Sequence, residues 1–156
     1  MKKIVALIIL VICILSLAAC TAPEDPVLAS LGTYENHEFY TSGGAQDYTD
    51  YAKYDFASAK IVGNTYFKNI HETDLTGINA HLDDFEAWVN VIQEGNASNE
   101  LVVHYDFDRS IIDAEDFFYI DSEERTWSDG HTSFVRYSIY LFDTQTQVLY
   151  YFHNNL

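Results

Sequence analysis

Between Leu75 and Ile92 the apolar residues recur at steps of three and four: Leu75, Ile78, Leu82, Phe85, Val89, Ile92. That spacing lines one face of a helix. Asp83, Asp84, Glu86 and Asn90 take the opposite face. Thr73 reads as the N-cap, Asp74 suits the first turn, and Gly95 fits the position just past the end. Gly77 inside the pattern costs up to about 1 kcal/mol relative to Ala, which argues for a start nearer Asn79. After Gly95-Asn96 the period changes to two. Leu101, Val103, Tyr105 and Phe107 alternate as one face of a strand, and further strands are expected at Phe117–Asp121, Phe134–Phe142 and Val148–Phe152. Asp129-Gly130 and Asp143-Thr144-Gln145-Thr146 mark turns between them. Upstream of the helix, Tyr51 to Phe56 alternate loosely, Gly63-Asn64 signals a turn, and Thr65-Tyr66-Phe67 can return as a second extended piece. Glu38-Phe39-Tyr40-Thr41 is a short segment able to pair with a sheet edge.

These elements predict an α+β domain over residues 49–156. An antiparallel sheet packs on one long helix and is built from a four-strand C-terminal meander plus one or two N-terminal strands. The short connections favour antiparallel neighbours. A helix followed by such a meander is similar in topology to cystatin-like folds. The resemblance stops there, because Gln145-Thr146-Gln147-Val148-Leu149 lacks the glycine of the cystatin inhibitor loop and a shared fold does not carry function.

The N-terminus has a different pattern. Lys2 and Lys3 precede an apolar run from Ile4 to Ala19 interrupted only by Ser16, a basic region followed by a hydrophobic one. The run is shorter than the roughly 20 residues a membrane span needs. It closes on Leu17-Ala18-Ala19-Cys20, which resembles the lipobox of bacterial lipoproteins. The resemblance implies a signal peptide over 1–19, cleavage before Cys20, and a diacylglycerol (with palmitate-type chains) on the Cys20 thiol. The membrane partner is then this anchor, and two acyl chains suffice for stable attachment. The implied location is the extracytoplasmic face of the cell membrane. Residues 20–48 hold both prolines and Ser42-Gly43-Gly44 and read as anchor plus flexible tether, with an average reach of roughly 25–30 Å. The remainder also resembles small lipoproteins of Gram-positive bacteria.

Charge narrows the functional classes. The 156 residues carry 8 Lys+Arg and 24 Asp+Glu. Without Lys2 and Lys3, six basic residues face the 24 acidic ones, a formal charge of −18. Nucleic-acid binding is excluded on that ground, since it needs clustered Lys and Arg. Such a domain is repelled by anionic headgroups and attracts cations or cationic peptides. All 24 aromatic residues, 12 Tyr, 10 Phe and 2 Trp, follow the signal, a composition opposed to disorder. With Cys13 removed and Cys20 acylated, the domain has no thiol for a disulfide, a nucleophile or a zinc site.

Two constellations carry candidate chemistry. On the expected strand, His104, Asp106 and Asp108 share a face, an imidazole and two carboxylates that could grip a divalent cation. Asp113, Glu115 and Asp116 would supply further oxygens. The plain alternative is a solvated strand face. Asp121-Ser122-Glu123-Glu124 reads as a charged hairpin end, since Arg125 breaks the EF-hand pattern. His71-Glu72 lacks the second histidine of a zincin helix. His37, His81, His131 and His153 are scattered. No serine sits in a nucleophile motif. The second constellation is aromatic. Phe134, Arg136, Ser138, Tyr140 and Phe142 occupy one face of their strand, opposite Val135, Tyr137, Ile139 and Leu141, and Tyr150 follows on the next strand. A face this aromatic is either covered or offered to a partner, Tyr and Arg being favoured in binding surfaces. The expected function is a non-enzymatic binding module, with Arg136, Tyr140, Phe142 and Tyr150 as binding residues. Its partner would be a cell-envelope protein, a cationic peptide or a glycan. The alternatives are an envelope hydrolase using paired carboxylates, and an inhibitor or immunity-type lipoprotein.

Overall fold

The computed structural model describes residues 25–44 and 47–155. The expected signal peptide and Cys20 lie outside them. The chain divides into two compact units, residues 1–30 and 31–156. A short helix, α1 (Pro26–Leu31), is capped by Asp25, whose Oδ1 accepts from the Val27 N–H at 2.8 Å. In the larger unit the order is β1 (Asn36–Thr41), β2 (Tyr48–Asp55), β3 (Lys68–Asn69), α2 (Glu72–Gly95), α3 (Glu100–His104), a 3-10 turn at Arg109–Ile111, then β4 (Phe117–Thr126), β5 (Thr132–Asp143) and β6 (Val148–Asn155). The six strands form one antiparallel sheet in the order β1-β2-β6-β5-β4-β3. The fold class is α+β, as the patterning predicts.

The inner face of the sheet carries Tyr51, Phe118, Tyr137, Ile139, Leu141 and Phe152, packed on Ile78, Leu82, Phe85 and Val89 of α2. The helix begins earlier than its glycine suggests. The His71 N–H donates to Asp74 Oδ2 at 3.0 Å, a reciprocal cap that holds Glu72 as the first residue. Gly77 sits inside the helix and its carbonyl accepts from His81 Nδ1 at 2.8 Å.

Three expectations are corrected. Leu101–Phe107 is not a strand, so three strands follow the helix rather than four, and β2 takes the place beside β6. Asn99 caps α3 by accepting from the Leu101 N–H at 2.9 Å, and Leu101 and Tyr105, four apart, both turn inward. Val103, which alternation would bury, is 61% exposed. The tether does not run to residue 48, because Leu31 onward belongs to the larger unit and Phe39–Thr41 pair with Asp50–Ala52. Asp121–Glu124 is no hairpin end either. β4 continues to Thr126, and the turn is closed by the Trp127 N–H donating to His131 O at 2.8 Å, with Gly130 at φ +84°, a conformation glycine adopts freely.

Candidate functional site

The expected metal residues are dispersed by the loss of their strand. The His104 ring stacks on Tyr40 with centroids 4.4 Å apart. Asp106 accepts from Tyr51 Oη at 2.8 Å and from Lys53 Nζ at 2.8 Å, and Lys53 also reaches Glu38 at 3.0 Å. Burial pushes the Asp106 carboxyl up, but the bonds from Lys53 and Tyr51 outweigh it and hold it below the usual carboxylate range. Asp108 caps the 3-10 turn through the Ser110 N–H at 2.9 Å. Asp116 is buried and accepts from the Asp113 and Thr144 N–H groups, both at 3.0 Å. Asp106 and Asp116 thus tie separate elements together, while Asp108 holds its own turn. Among the described residues no group of three His, Cys, Asp or Glu could hold a metal ion.

The expected aromatic binding face is also corrected. Phe142 is fully buried and Tyr140 is 5% exposed. The connection after β2 folds back over this outer half-face, placing Phe56 at 6.1 Å from the Phe142 ring and Phe67 at 6.4 Å from Tyr140. Tyr150 points to the inner side, against Phe107 at 5.0 Å. Only Arg136 of the four is exposed, so they share no surface.

A row the sequence reading missed crosses the other half of the outer face. Ser138, His153 and Asp50 stand opposite one another on β5, β6 and β2. Ser138 Oγ lies 2.8 Å from His153 Nδ1. The row has the residue types of a hydrolase triad, yet Asp50 Oδ1 makes no hydrogen bond to the imidazole, and Ser138 sits mid-strand, where its amide belongs to a sheet ladder and not to an oxyanion site. Asp50 is 7% exposed. Its burial raises the carboxyl above its ordinary value, against the lowering effects of Thr41 and His153. A carboxyl raised in the folded state contributes stability below its unfolded pKa and loses it as pH climbs through the folded one. Relative to the parent chain, Asp50→Asn should therefore gain stability as pH rises above about 4. Urea unfolding between pH 3 and pH 8 measures this, and a difference that does not change with pH would refute it.

A concavity lies between α2 and the β4–β5 hairpin. It is about 450 Å³ and is lined by Ala80, Asp83, Asp84, Glu124, His131, Thr132, Ser133 and Phe134. Helical spacing puts positions 80, 83 and 84 on one side of α2. A bulge fixes the opposite wall. Glu123 pairs with Arg136 and Glu124 with Phe134, leaving Val135 as an extra residue in β5. The bulge turns Phe134 to the inner side, where its ring lies 4.1 Å from the buried His81. His81 is in turn bound to Ser122 Oγ at 3.0 Å. Phe134 is thereby the apolar floor of the cleft, not part of the outer face where simple alternation puts it. Asp84 is oriented by the Tyr137 hydroxyl, which donates to Oδ2 at 2.9 Å. Asp83 is paired with Arg109 at 2.7 Å, and Glu124 is exposed. Three carboxylates and one imidazole line the cleft with no Lys or Arg among them. At the hairpin tip Trp127 is half exposed, its Nε1 donates to Ser133 Oγ at 3.1 Å, and Arg125 lies over its ring at 5.5 Å.

Compared with protein-family models, with curated proteins and with solved structures, the chain matches none.

Proposed function

We propose that this chain is a lipid-anchored extracytoplasmic binding module that takes a cationic ligand, a Lys- or Arg-bearing peptide segment, into the cleft beneath the β4–β5 hairpin. The observation that carries the reading is the cleft itself. Its carboxylates come from two facing elements, its floor is aromatic, and neither Lys nor Arg lines it. A lysine or arginine side chain suits this combination, because its apolar stem covers Phe134 while its charged head stays among the acids. The domain charge favours the same ligand class by drawing cations toward the surface. Anchoring rests on the lipobox resemblance at Leu17–Cys20. Among the described residues no helix is long and apolar enough to cross a membrane.

The test is calorimetric titration of the full chain in neutral detergent with an oligolysine peptide. Glu124 has an exposed side chain, so Glu124→Lys leaves the fold intact and places a like charge at the cleft wall. The expected result is binding weakened roughly tenfold or more and a loss of affinity with added salt. Equal affinity for parent and variant would refute the site. In cells producing the chain, Cys20→Ala should abolish incorporation of labelled palmitate into it, and undiminished labelling would refute the anchor.

A further inference from the structure

β3 is only two residues long and pairs with Phe117 and Phe118 alone. From Tyr119 to Thr126, β4 has no strand beyond it, an open edge about 27 Å long. The phase of its backbone can be read from both ends. On the β3 side the Ile70 N–H donates to Asp116 O at 3.0 Å, and on the β5 side the Trp127 N–H donates to His131 O at 2.8 Å. Successive residues of a strand turn their N–H and C=O to opposite sides. The extra residue of the bulge belongs to β5, so the alternation along β4 is unbroken. Ile120, Ser122, Glu124 and Thr126 therefore direct their amides and carbonyls to the open side, and among the described residues no backbone group pairs with them there.

The side chains along this edge select what can dock. Asp121 and Glu123 point to the outer face and Glu124 to the inner one. The Arg136–Glu123 pair is loose at 3.9 Å and exposed on both sides. Along Tyr119–Thr126 three acids stand against one base, Arg125, which lies over the Trp127 ring, so a second copy pairing β4 with β4 would bring an excess of acids against their own kind, which disfavours it. A basic partner meets the opposite balance. We propose that the β4 edge accepts an extended Lys- or Arg-rich segment of a partner protein as a seventh strand. The inference rests on the cationic-ligand reading of the cleft and extends it. Glu124 belongs to both, with its side chain in the cleft and its backbone on the edge. Main-chain bonds then supply affinity, and the acids on the two faces select basic residues at successive positions.

The probe is a capped decalysine peptide, which presents Lys to both faces of the sheet, together with the same peptide N-methylated at every second residue, which keeps its charge and removes one edge of donors. The titration uses the full chain in neutral detergent. Proline is tolerated on an edge strand where its missing N–H faces solvent, so Ser122→Pro removes one outward donor. Ser122→Ala controls for the lost bond to His81. Ser122→Pro should bind the peptide about tenfold more weakly than Ser122→Ala. N-methylation should weaken binding to the parent by a similar factor, and that comparison does not depend on how the proline variant folds. Equal binding of the methylated and unmethylated peptides overturns the edge proposal. If Glu124→Lys still weakens both peptides, the cleft reading survives alone, and if it weakens neither, both fall. A concentration-dependent dimer that forms without peptide and is lost in Ser122→Pro would assign the edge to a second copy and likewise overturn the proposal.

Discussion

Phe152→Ala is expected to destabilise the domain by about 3–5 kcal/mol, seen as a fall of roughly 10 °C or more in the thermal midpoint followed by circular dichroism. Phe152 is fully buried on β6, with β2 on one side and β5 on the other. Its ring meets Phe107 at 4.9 Å, Phe85 at 5.3 Å and Tyr51 at 5.5 Å. These neighbours come from the loop after α3, from α2 and from β2, so one ring joins three otherwise separate parts. A cavity there cannot collapse without moving the helix against the sheet, which places the cost toward the upper end of the range for large-to-small changes. Against a typical total of 5–15 kcal/mol, the loss is a large fraction of what holds the fold. A midpoint unchanged within a few degrees would show that the helix does not close the inner face at this point.

Phe142→Ala is expected to cost about the same, 3–5 kcal/mol, although the residue lies on the opposite face. The sheet has two cores. On the outer side Phe142 is fully buried, stands beside Leu149 of β6 and Phe117 of β4 in register, and is capped by Phe56. Phe56 is held in place by its N–H, which donates to Gln147 O at 3.0 Å. The expectation is sharp because the competing role predicts something different. A surface residue serving a partner would change stability by about 0.5 kcal/mol or less when truncated. Urea unfolding of the two alanine variants side by side decides it. A Phe142→Ala chain as stable as the parent would mean that the outer half-face is open.

The parts of the fold that were legible are those where one periodicity had no rival. Leu75 to Ile92 repeats over five helical turns, and β5 and β6 alternate with short turns on either side. Leu101–Phe107 failed because its apolar residues also suit a helical turn. Leu101 and Tyr105 are four apart, and the Asn99 cap decides between the two local structures. The composition extends the tether too far because β1 is an edge strand with mostly exposed side chains, and a polar edge strand has the composition of a loop. Simple alternation puts Phe134 on the wrong face because a bulge adds one residue without any mark in composition, and one residue inverts a strand's faces.

The site was less legible than the fold for a related reason. Asp83 and Asp84 read as the solvated side of a helix, and only the hairpin opposite makes them one wall of a cleft. Glu124 lies forty positions further on, and nothing in the sequence pairs them. Asp106 fails in the other direction. Its spacing from His104 and Asp108 suggests a shared ligand, whereas its partner is Lys53, brought from β2. Acidic residues in a chain with 24 of them acquire meaning only from what the fold sets opposite.

The most direct test of the central claim is to map where a cationic peptide binds. The full chain, isotope-labelled and held in neutral micelles, is titrated with oligolysine while its amide resonances are followed. The account predicts saturable shifts concentrated at residues 80–84, 124 and 131–134, the two walls of the cleft. Shifts spread evenly over the acidic surface, or gathered at the Asp50–His153 row instead, would contradict it.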